Sequence, residues 1–593
     1  MADQYSIKNA ARERNASMRL LCYQHRSGGL MNSRWLAYAL VLLGLTSLGY
    51  ACGGGGDSSN FIQVLQTSPT DGVTTAPVET RIGFQIDASI DPATLTNDTF
   101  FVTDPDGARV QGALAIGDEP SIAVLTPDEP LSVITKYTAT ITTGLASTGG
   151  DTLEKDFTWR FTTLDSAWGE SDWLESIGTG TSSKQEVAID GQSNALAVWQ
   201  YTEDVGTSIR ASRYTRVDLW GEPTIIDAGN GRATDPRVSA DAEGNGFAVW
   251  VDSEQGTDTR IWSSRYERGQ GWGAPELLQN GEVTRARSPR IAADAEGNAI
   301  AVWIQQDLSS ADQIVWSNRY VPGSGWGTAE PIDDMPTPSI GLEIAVGVDA
   351  AGNAIAMWTR PVGIGNVDVI WSNRYSAGSG WGTTELIKAD ETTVAEAARL
   401  DVGAGGEAFV IWVQYTPPDG RKDVWAARFS GSSWEAPERV DTYDAGDTMQ
   451  PDIAVDGTGV AHAVWSQSDP DFQNIYARQY TPGSGWGVQA VLIEPANPDP
   501  TEDADATIPR VDTNTAGNTF IVWRQNFSDW PSIWSNHIDP GMSWAPANAQ
   551  LIENEERAAK APKIVVDENR HAHASWPHGL AGGVDWLRTN RFE

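Results

Sequence analysis

The sequence predicts an all-β chain in two parts, a sandwich of about seven strands and then a ring of repeated four-stranded sheets. Three observations lead there. The 593 residues include 59 Gly and 31 Pro with few long apolar helical patterns, a composition of strands and turns. One phrase recurs eight times after Trp168, clearest in Ser288-Pro-Arg-Ile-Ala-Ala-Asp-Ala-Glu-Gly-Asn-Ala-Ile-Ala-Val-Trp303. The tryptophans that close it, Trp199, Trp250, Trp303, Trp358, Trp412, Trp465, Trp523 and Trp576, stand 51 to 58 residues apart, a period that belongs to a repeat architecture.

From the N-terminus, residues 1–51 read as an extension and an export signal, 52–63 as a tether, 64–163 as the sandwich and 168–593 as the repeats. After Met31 a short basic stretch containing Arg34 leads into the apolar Leu36-Ala-Tyr-Ala-Leu-Val-Leu-Leu-Gly-Leu45, and small residues then precede Cys52. This resembles a bacterial lipoprotein signal. The resemblance implies a lipid on Cys52, with Gly53-Gly-Gly-Gly-Asp57 as a flexible tether. Leu48 departs from the pattern, standing four residues before Cys52 where three is usual. The apolar run is shorter than the roughly 20 residues of a spanning helix. Residues 1–30, polar and with five Lys or Arg, fit neither reading, and translation is expected to begin at Met18 or Met31.

In residues 64–163 short β runs alternate with turns: Ser68-Pro-Thr-Asp-Gly72, Arg81-Ile-Gly-Phe-Gln-Ile86, Phe100-Phe-Val-Thr-Asp104, Lys136-Tyr-Thr-Ala-Thr-Ile141 and Phe157-Thr-Trp-Arg-Phe-Thr-Thr163. About seven strands in this length is the count of an Ig-like sandwich. The phrases resemble the bacterial Ig-like domain of the SbsA S-layer type. That resemblance implies a spacer or adhesion module and brings no catalytic residue.

Each repeat divides into strands A (Arg290–Asp294 in the clearest copy), B (Asn298–Trp303), C (Ile314–Tyr320) and D (from Trp326). Asp-x-x-Gly joins A to B and Pro-Gly-Ser-Gly joins C to D, both tight turns. Sheets of this kind, buried on both faces and repeated about an axis, are propeller blades. A lone D strand at Trp168 precedes the first copy, and the eighth copy ends after strand C. The expectation is therefore an eight-bladed propeller in which the N-terminal strand completes the last blade, removing two open edges. Seven blades with one degenerate unit is the alternative.

Register also assigns most aromatic and charged residues. Eight Trp close strand B, eight begin strand D and five lie in strand C, and all of these are expected in the core. The Arg of Ser-x-Arg-Tyr (Arg213, Arg265, Arg319, Arg374 and Arg428) is expected to stack on a neighbouring Trp. The Asp at the A–B turn is expected to satisfy that turn. His462 and His573 read as packing between blades, and His571, His573 and His578 lack an acid at ligand spacing.

Functional candidates lie where the repeat lapses. Thirteen residues before each strand-B Trp stand Glu186, Arg237, Arg290, Ala345, Arg399, Asp452, Arg510 and Lys563. Five of these are cations in a chain of net charge −38, and they are expected to ring the axis as a funnel for an anionic ligand. Trp530 fits no repeat position. Asp499, Glu502, Asp503 and Asp505 form an acidic loop that is a weak Ca²⁺ candidate without regular ligand spacing. No other cofactor is expected.

The acidic balance argues against nucleic acid, and two cysteines, Cys22 and Cys52, exclude a disulfide framework. The leading expectation is a monomeric, lipid-anchored protein of the bacterial cell envelope, at the outer membrane or cell surface. Its propeller would bind a glycan or a surface protein without catalysis. A glycosidase or lyase acting on an anionic polysaccharide is the second reading, for which spacing assigns no catalytic residue. A structural envelope component is the third.

Overall fold

The computed structural model describes residues 61–592, except 74–75, 77, 79, 106, 118, 129–130, 133–134, 164–166, 170, 176–178, 216–217, 230–231, 254–257, 281–284, 307–311, 338, 342, 363–366, 389–392, 417–419, 444–445, 470–471, 496–504, 527–529, 554–556 and 580–583. The signal, Cys22, Cys52 and the tether lie outside the described residues, as do Asp499, Glu502 and Asp503. Among the described residues the chain is all-β, relieved only by two 3-10 turns at Pro92–Thr94 and Pro546–Asn548. Among the described residues no helix is long and apolar enough to cross a membrane. The chain divides into two compact units at Leu164.

The first unit holds seven strands: β1 (Val64–Ser68), β2 (Ile82–Ile86), β3 (Phe100–Thr103), β4 (Gly112–Ile116), β5 (Ile122–Pro127), β6 (Lys136–Ile141) and β7 (Phe157–Thr162). They form one sheet in the order β1-β2-β5-β4 and another in the order β3-β6-β7. Alternation sends Phe84, Phe100, Ala139, Trp159 and Phe161 inward, each at most 2% exposed. Phe100 meets Phe84 edge-on at 4.9 Å and stacks on Trp159 at 6.0 Å.

In the second unit each repeat folds into one antiparallel sheet in the order A-B-C-D. Strand A of each repeat packs beside strand A of the next, and that of repeat 8 (Lys563–Val566) beside that of repeat 1 (Thr181–Ile189). The fourth strand of repeat 8 is β8 (Asp172–Trp173), paired to Arg588 and Thr589, with Trp168 bridged to Phe592. The arrangement is propeller-like.

Burial falls from the inner strands outward. All eight strand-B tryptophans are 0% exposed, whereas the strand-C tryptophans, and those of strand D except Trp544, are partly buried. The expectation of core placement thus holds in full for strand B, while the tryptophans of strands C and D pack against the core clusters from their outer side. Strand D is shorter than expected, split into pairs such as Gly325–Trp326 and Glu330–Pro331. Between the two pieces the Gly327 carbonyl accepts Asn318 Nδ2 of strand C at 3.2 Å, and the same amide reaches Leu278 O of the preceding repeat at 3.0 Å.

A second correction concerns the Ser-x-Arg-Tyr arginines. They stack on the aromatic residue of the next repeat at the Tyr position: Arg213 on Tyr266 (5.4 Å), Arg265 on Tyr320 (5.3 Å), Arg319 on Tyr375 (5.5 Å), Arg374 on Phe429 (4.7 Å) and Arg428 on Tyr480 (5.5 Å). Arg591 of repeat 8 lies 4.9 Å over Tyr214 of repeat 1. The D-strand Trp is instead packed edge-on against the Tyr of its own repeat, as Tyr320 and Trp326 are at 5.7 Å, which leaves the other Tyr face for the incoming guanidinium. The A–B turn behaves as expected. Asp294 Oδ1 accepts Asn298 N at 2.8 Å, and Gly297 adopts φ +81.

One further ring was not anticipated. The residue after the last apolar position of strand D is polar and buried in every repeat: Glu175, Asp227, Gln279, Asp333, Lys388, Asp441, Glu494 and Glu553. Most of these meet a backbone N–H of strand C, as Asp441 Oδ1 does Val424 N at 2.8 Å and Glu494 Oε2 does Ile475 N at 3.3 Å. Burial pushes the Glu494 carboxyl up to about 8, and the nearby Asp505 and Asp469 add to this against the Ile475 hydrogen bond. Folding therefore takes up a proton there. The associated stability is complete below the ordinary carboxylate pKa and is lost as pH rises through about 8. Glu494→Gln keeps an acceptor for Ile475. It is expected to leave the thermal midpoint unchanged at pH 4 and to raise it by roughly 2–8 °C at pH 9, measured by calorimetry.

Candidate functional site

Strand A of each repeat carries the charged position at the same register against strand B. The side chains there are directed by a bulge near the start of strand A. In repeat 3, Arg287 faces Ile304 and Arg290 faces Val302, three steps against two. The same extra residue occurs in repeats 1, 2, 5, 6 and 7. In each, the residue two before the ring position is left-handed although not glycine: Lys184, Asp235, Ser288, Ala397, Gln450 and Ile508, with φ between 53 and 57. A bulge re-aims a side chain, and here the re-aimed residues are Glu186, Arg237, Arg290, Arg399, Asp452 and Arg510. Ala345 and Lys563, in repeats 4 and 8, stand at the same register without it.

The ring is one electrostatic cluster. Glu186 Oε1 lies 2.9 Å from Lys563 Nζ and 3.7 Å from Arg237 Nε, and Arg237 also reaches Asp235 at 3.3 Å. Burial works to raise the Glu186 carboxyl, but Lys563 and Arg237 outweigh it and hold the group below its ordinary value. Arg290, Arg399 and Arg510 differ. Each guanidinium donates to the carbonyl of the residue before it, at 2.8, 2.9 and 2.6 Å. Among the described residues none of the three has a carboxylate within 4.0 Å. Burial, reinforced by Arg237, pushes Arg290 down to about 10; burial and then Arg510 lower Arg399.

Two residues further along strand A lie acids that sequence reasoning missed. Asp401 Oδ2 accepts Val455 N of the next repeat, and Asp512 Oδ2 accepts Val566 N, both at 2.7 Å. Burial raises Asp401 to about 6 and, with Asp401 adding to it, Asp512 to about 8. In the same register other repeats carry Ala188, Ser239, Ala292, Gly347, Ala454 and Val565, so only an acid two positions after an Arg could have signalled them.

The remaining candidates lie apart from this cluster. Trp530, 47% exposed, sits on the B–C loop just before Pro531–Ile538. Asp505 accepts Gln473 N at 2.7 Å, at the start of strand A in repeat 7. No group of three or more His, Cys, Asp or Glu is placed to hold a metal ion among the described residues. His571 Nδ1 lies 2.9 Å from Asp567 Oδ2, His573 packs on Tyr214 at 4.6 Å, and His578 meets Trp173 edge-on at 5.8 Å.

Residues 58–163 match the family of the bacterial Ig-like domain. No curated protein matches the chain. The solved structures similar to it include an ulvan lyase of a polysaccharide lyase family, at 11% identity and a TM-score of 0.41, covering 63% of this chain and 94% of that one. They also include the β-propeller domain of the Trilobed protease from Pyrococcus furiosus, at 10% and 0.36, covering 61% and 93%. A sialidase, NanB from Streptococcus pneumoniae, is similar at 10% and 0.33, covering 87% and 99%. Propeller glycosidases and lyases are thus among its weakly similar neighbours.

The bulge itself generates a prediction. A β-branched residue at φ +57 is strained by about 1–2 kcal/mol, whereas Asn visits this region readily. Ile508→Asn is expected to stabilise the fold by about 1 kcal/mol in urea unfolding. A lowered midpoint would mean that the Ile508 side chain contributes more than its backbone costs.

Proposed function

We propose that the repeats form an eight-bladed ring closed by β8, and that the mouth of its channel binds an acidic polysaccharide through Arg290, Arg399 and Arg510. The observation that carries this is three guanidinium groups, partly buried and without a carboxylate within 4.0 Å among the described residues, in repeats 3, 5 and 7 of a chain of net charge −38, with Ala345 and Asp452 at the positions between them. Carboxylate or sulfate groups spaced along a polymer match cations spaced around a rim, and Arg recognises such groups through paired N–H donors. Arg237 and Lys563, already held by Glu186, orient the rim, and Trp530 offers an apolar face on the same side of the ring. Cys52 carries the lipid that fixes the protein to the bacterial envelope, with the Ig-like unit as spacer.

Cleavage of the bound chain is the second reading, and Asp512 and Asp401 favour it. A carboxyl near 8 is protonated at neutral pH and can donate to a leaving oxygen, while one near 6 is largely ionised. That separation is what an acid and a base sharing one site require.

Binding of uronate-containing and sulfated polysaccharides to the soluble part, residues 60–593, tests both readings. Arg290→Ala, Arg399→Ala and Arg510→Ala are each expected to weaken binding by about tenfold or more, with affinity falling as salt rises. Undiminished affinity in the triple variant would refute the channel site. If the ligand is also cleaved, Asp512→Asn abolishes release of new chain ends and keeps the affinity; intact polymer under wild-type protein leaves binding alone. In a bacterial host, Cys52→Ala is expected to move the protein from the membrane to the soluble fraction, with loss of the acyl mass on its N-terminal peptide.

A further inference from the structure

The stacking of a planar side chain, Arg or in repeat 7 His537, on the next repeat's aromatic ring lapses at one junction. Between repeats 6 and 7 the arginine position holds Gln479 and the aromatic position holds Ile538. Between repeats 1 and 2 the Arg213 guanidinium lies between the aromatic ring of Tyr266, at 5.4 Å, and the A–B turn acid Asp190, whose Oδ2 is at 3.8 Å. At the junction of repeats 6 and 7 both large groups are replaced by smaller ones, and a cavity of about 180 Å³ remains. Asp456, Thr458, His462, Gln479, Ile538 and Met542 line it.

Its polar groups match the missing side chain. Asp456 Oδ1 is consumed by the turn, accepting Thr458 N, Thr458 Oγ1 and Val460 N at 2.8 to 3.0 Å. Its Oδ2 has no partner among the described residues, because Val460 stands where other turns place an Asn that would bond it. His462 is 2% exposed and its Nδ1 is unpartnered. Burial pushes that imidazole down to about 4, so at neutral pH it offers an acceptor without a charge to repel a cation. The other acid at the rim, Asp539, is already occupied by Arg570 Nε at 2.7 Å. Met542, 63% exposed, forms a pliable apolar edge.

We propose that this cavity is a binding site for a small organic cation of the guanidinium type, which takes the place of the absent arginine between Asp456 and Ile538. The charge would sit on Asp456 Oδ2, with one N–H directed to His462 and the planar face against Ile538. The site opens on the face of the A–B and C–D turns, opposite the arginine rim, and does not depend on what the rim binds.

Methylguanidinium is the probe and methylurea, of the same shape but uncharged, is its control, each titrated into the soluble protein with detection by NMR shifts or calorimetry. Saturable binding of methylguanidinium at least about tenfold tighter than methylurea is expected. Asp456→Asn is expected to weaken it by at least about tenfold. The turn should survive, since Asn514 makes the same turn in repeat 7. Gln479→Arg with Ile538→Tyr should abolish binding and raise the thermal midpoint, and Arg290→Ala should leave methylguanidinium binding unchanged. Equal binding of methylurea, undiminished binding in the filled variant, or no saturable binding at all would each overturn the proposal.

Discussion

The second unit depends on how one four-stranded sheet is joined to the next. Six junctions repeat the same device, an arginine on strand C reaching over the aromatic ring of the following repeat, and at the first of them the turn aspartate Asp190 also faces Arg213. A desolvated cation–aromatic contact is worth about 1–2 kcal/mol, and here it also sets the angle between sheets because ring and guanidinium are both planar. The series passes from Arg591 to Tyr214, so the last repeat meets the first by the same chemistry that joins its predecessors. Repeat 7 uses His537 against Phe592 at 4.9 Å, a weaker but still planar contact. Only the junction after repeat 6 has neither.

Junctions this uniform leave little freedom on the short-turn face, and variation is accordingly found at the other end of strand A. There six inner strands share a bulge with a left-handed non-glycine residue. A regular strand would alternate its side chains between the two neighbouring sheets, in an interior already filled by the strand-B tryptophans. The added residue breaks that alternation and turns one charged side chain toward the axis. Strain of this sort persists only where surrounding structure holds it. Some of the holding contacts cross between repeats, such as Gln450 Oε1 accepting Ile508 N at 2.8 Å.

The strand register was legible because its signals are repeated residue types: Trp303 and its equivalents, Asp-x-x-Gly, and the Gly-Trp pair. The charged ring was legible for the same reason, as a fixed distance before a marker. The bulge was not, since Lys184, Asp235, Ser288, Ala397, Gln450 and Ile508 share no chemistry; a backbone conformation left no side-chain trace. The partner of Ser-x-Arg-Tyr was misread because spacing does not show which aromatic of the next repeat faces the guanidinium; Trp326 stays with its own Tyr320. Asp401 and Asp512 escaped because they occur in only two repeats. The buried polar ring ending with Glu553 was present in every copy, but a polar residue after an apolar one at a sheet edge reads as solvent-facing until the neighbouring strand C is known to cover it.

Whether the rim arginines serve the fold can be argued from the repeats alone. Repeat 4 has Ala345 at the ring position, with strand A paired to Met357 as in its neighbours. A sheet of this kind therefore forms without a charge there. Burial and Arg237 oppose the charged form of Arg290, Asp235 and Glu186 offset them only in part, and its donated hydrogen bond goes to its own neighbour, Pro289. At about 10 it is nevertheless charged at neutral pH. A partly buried charge without a close carboxylate, repeated in three alternate repeats, opposes stability unless an anion arrives to meet it. Ligand binding would repay that opposition only in the bound state. Anion binding at Arg290, Arg399 and Arg510, as proposed, would couple occupancy to stability.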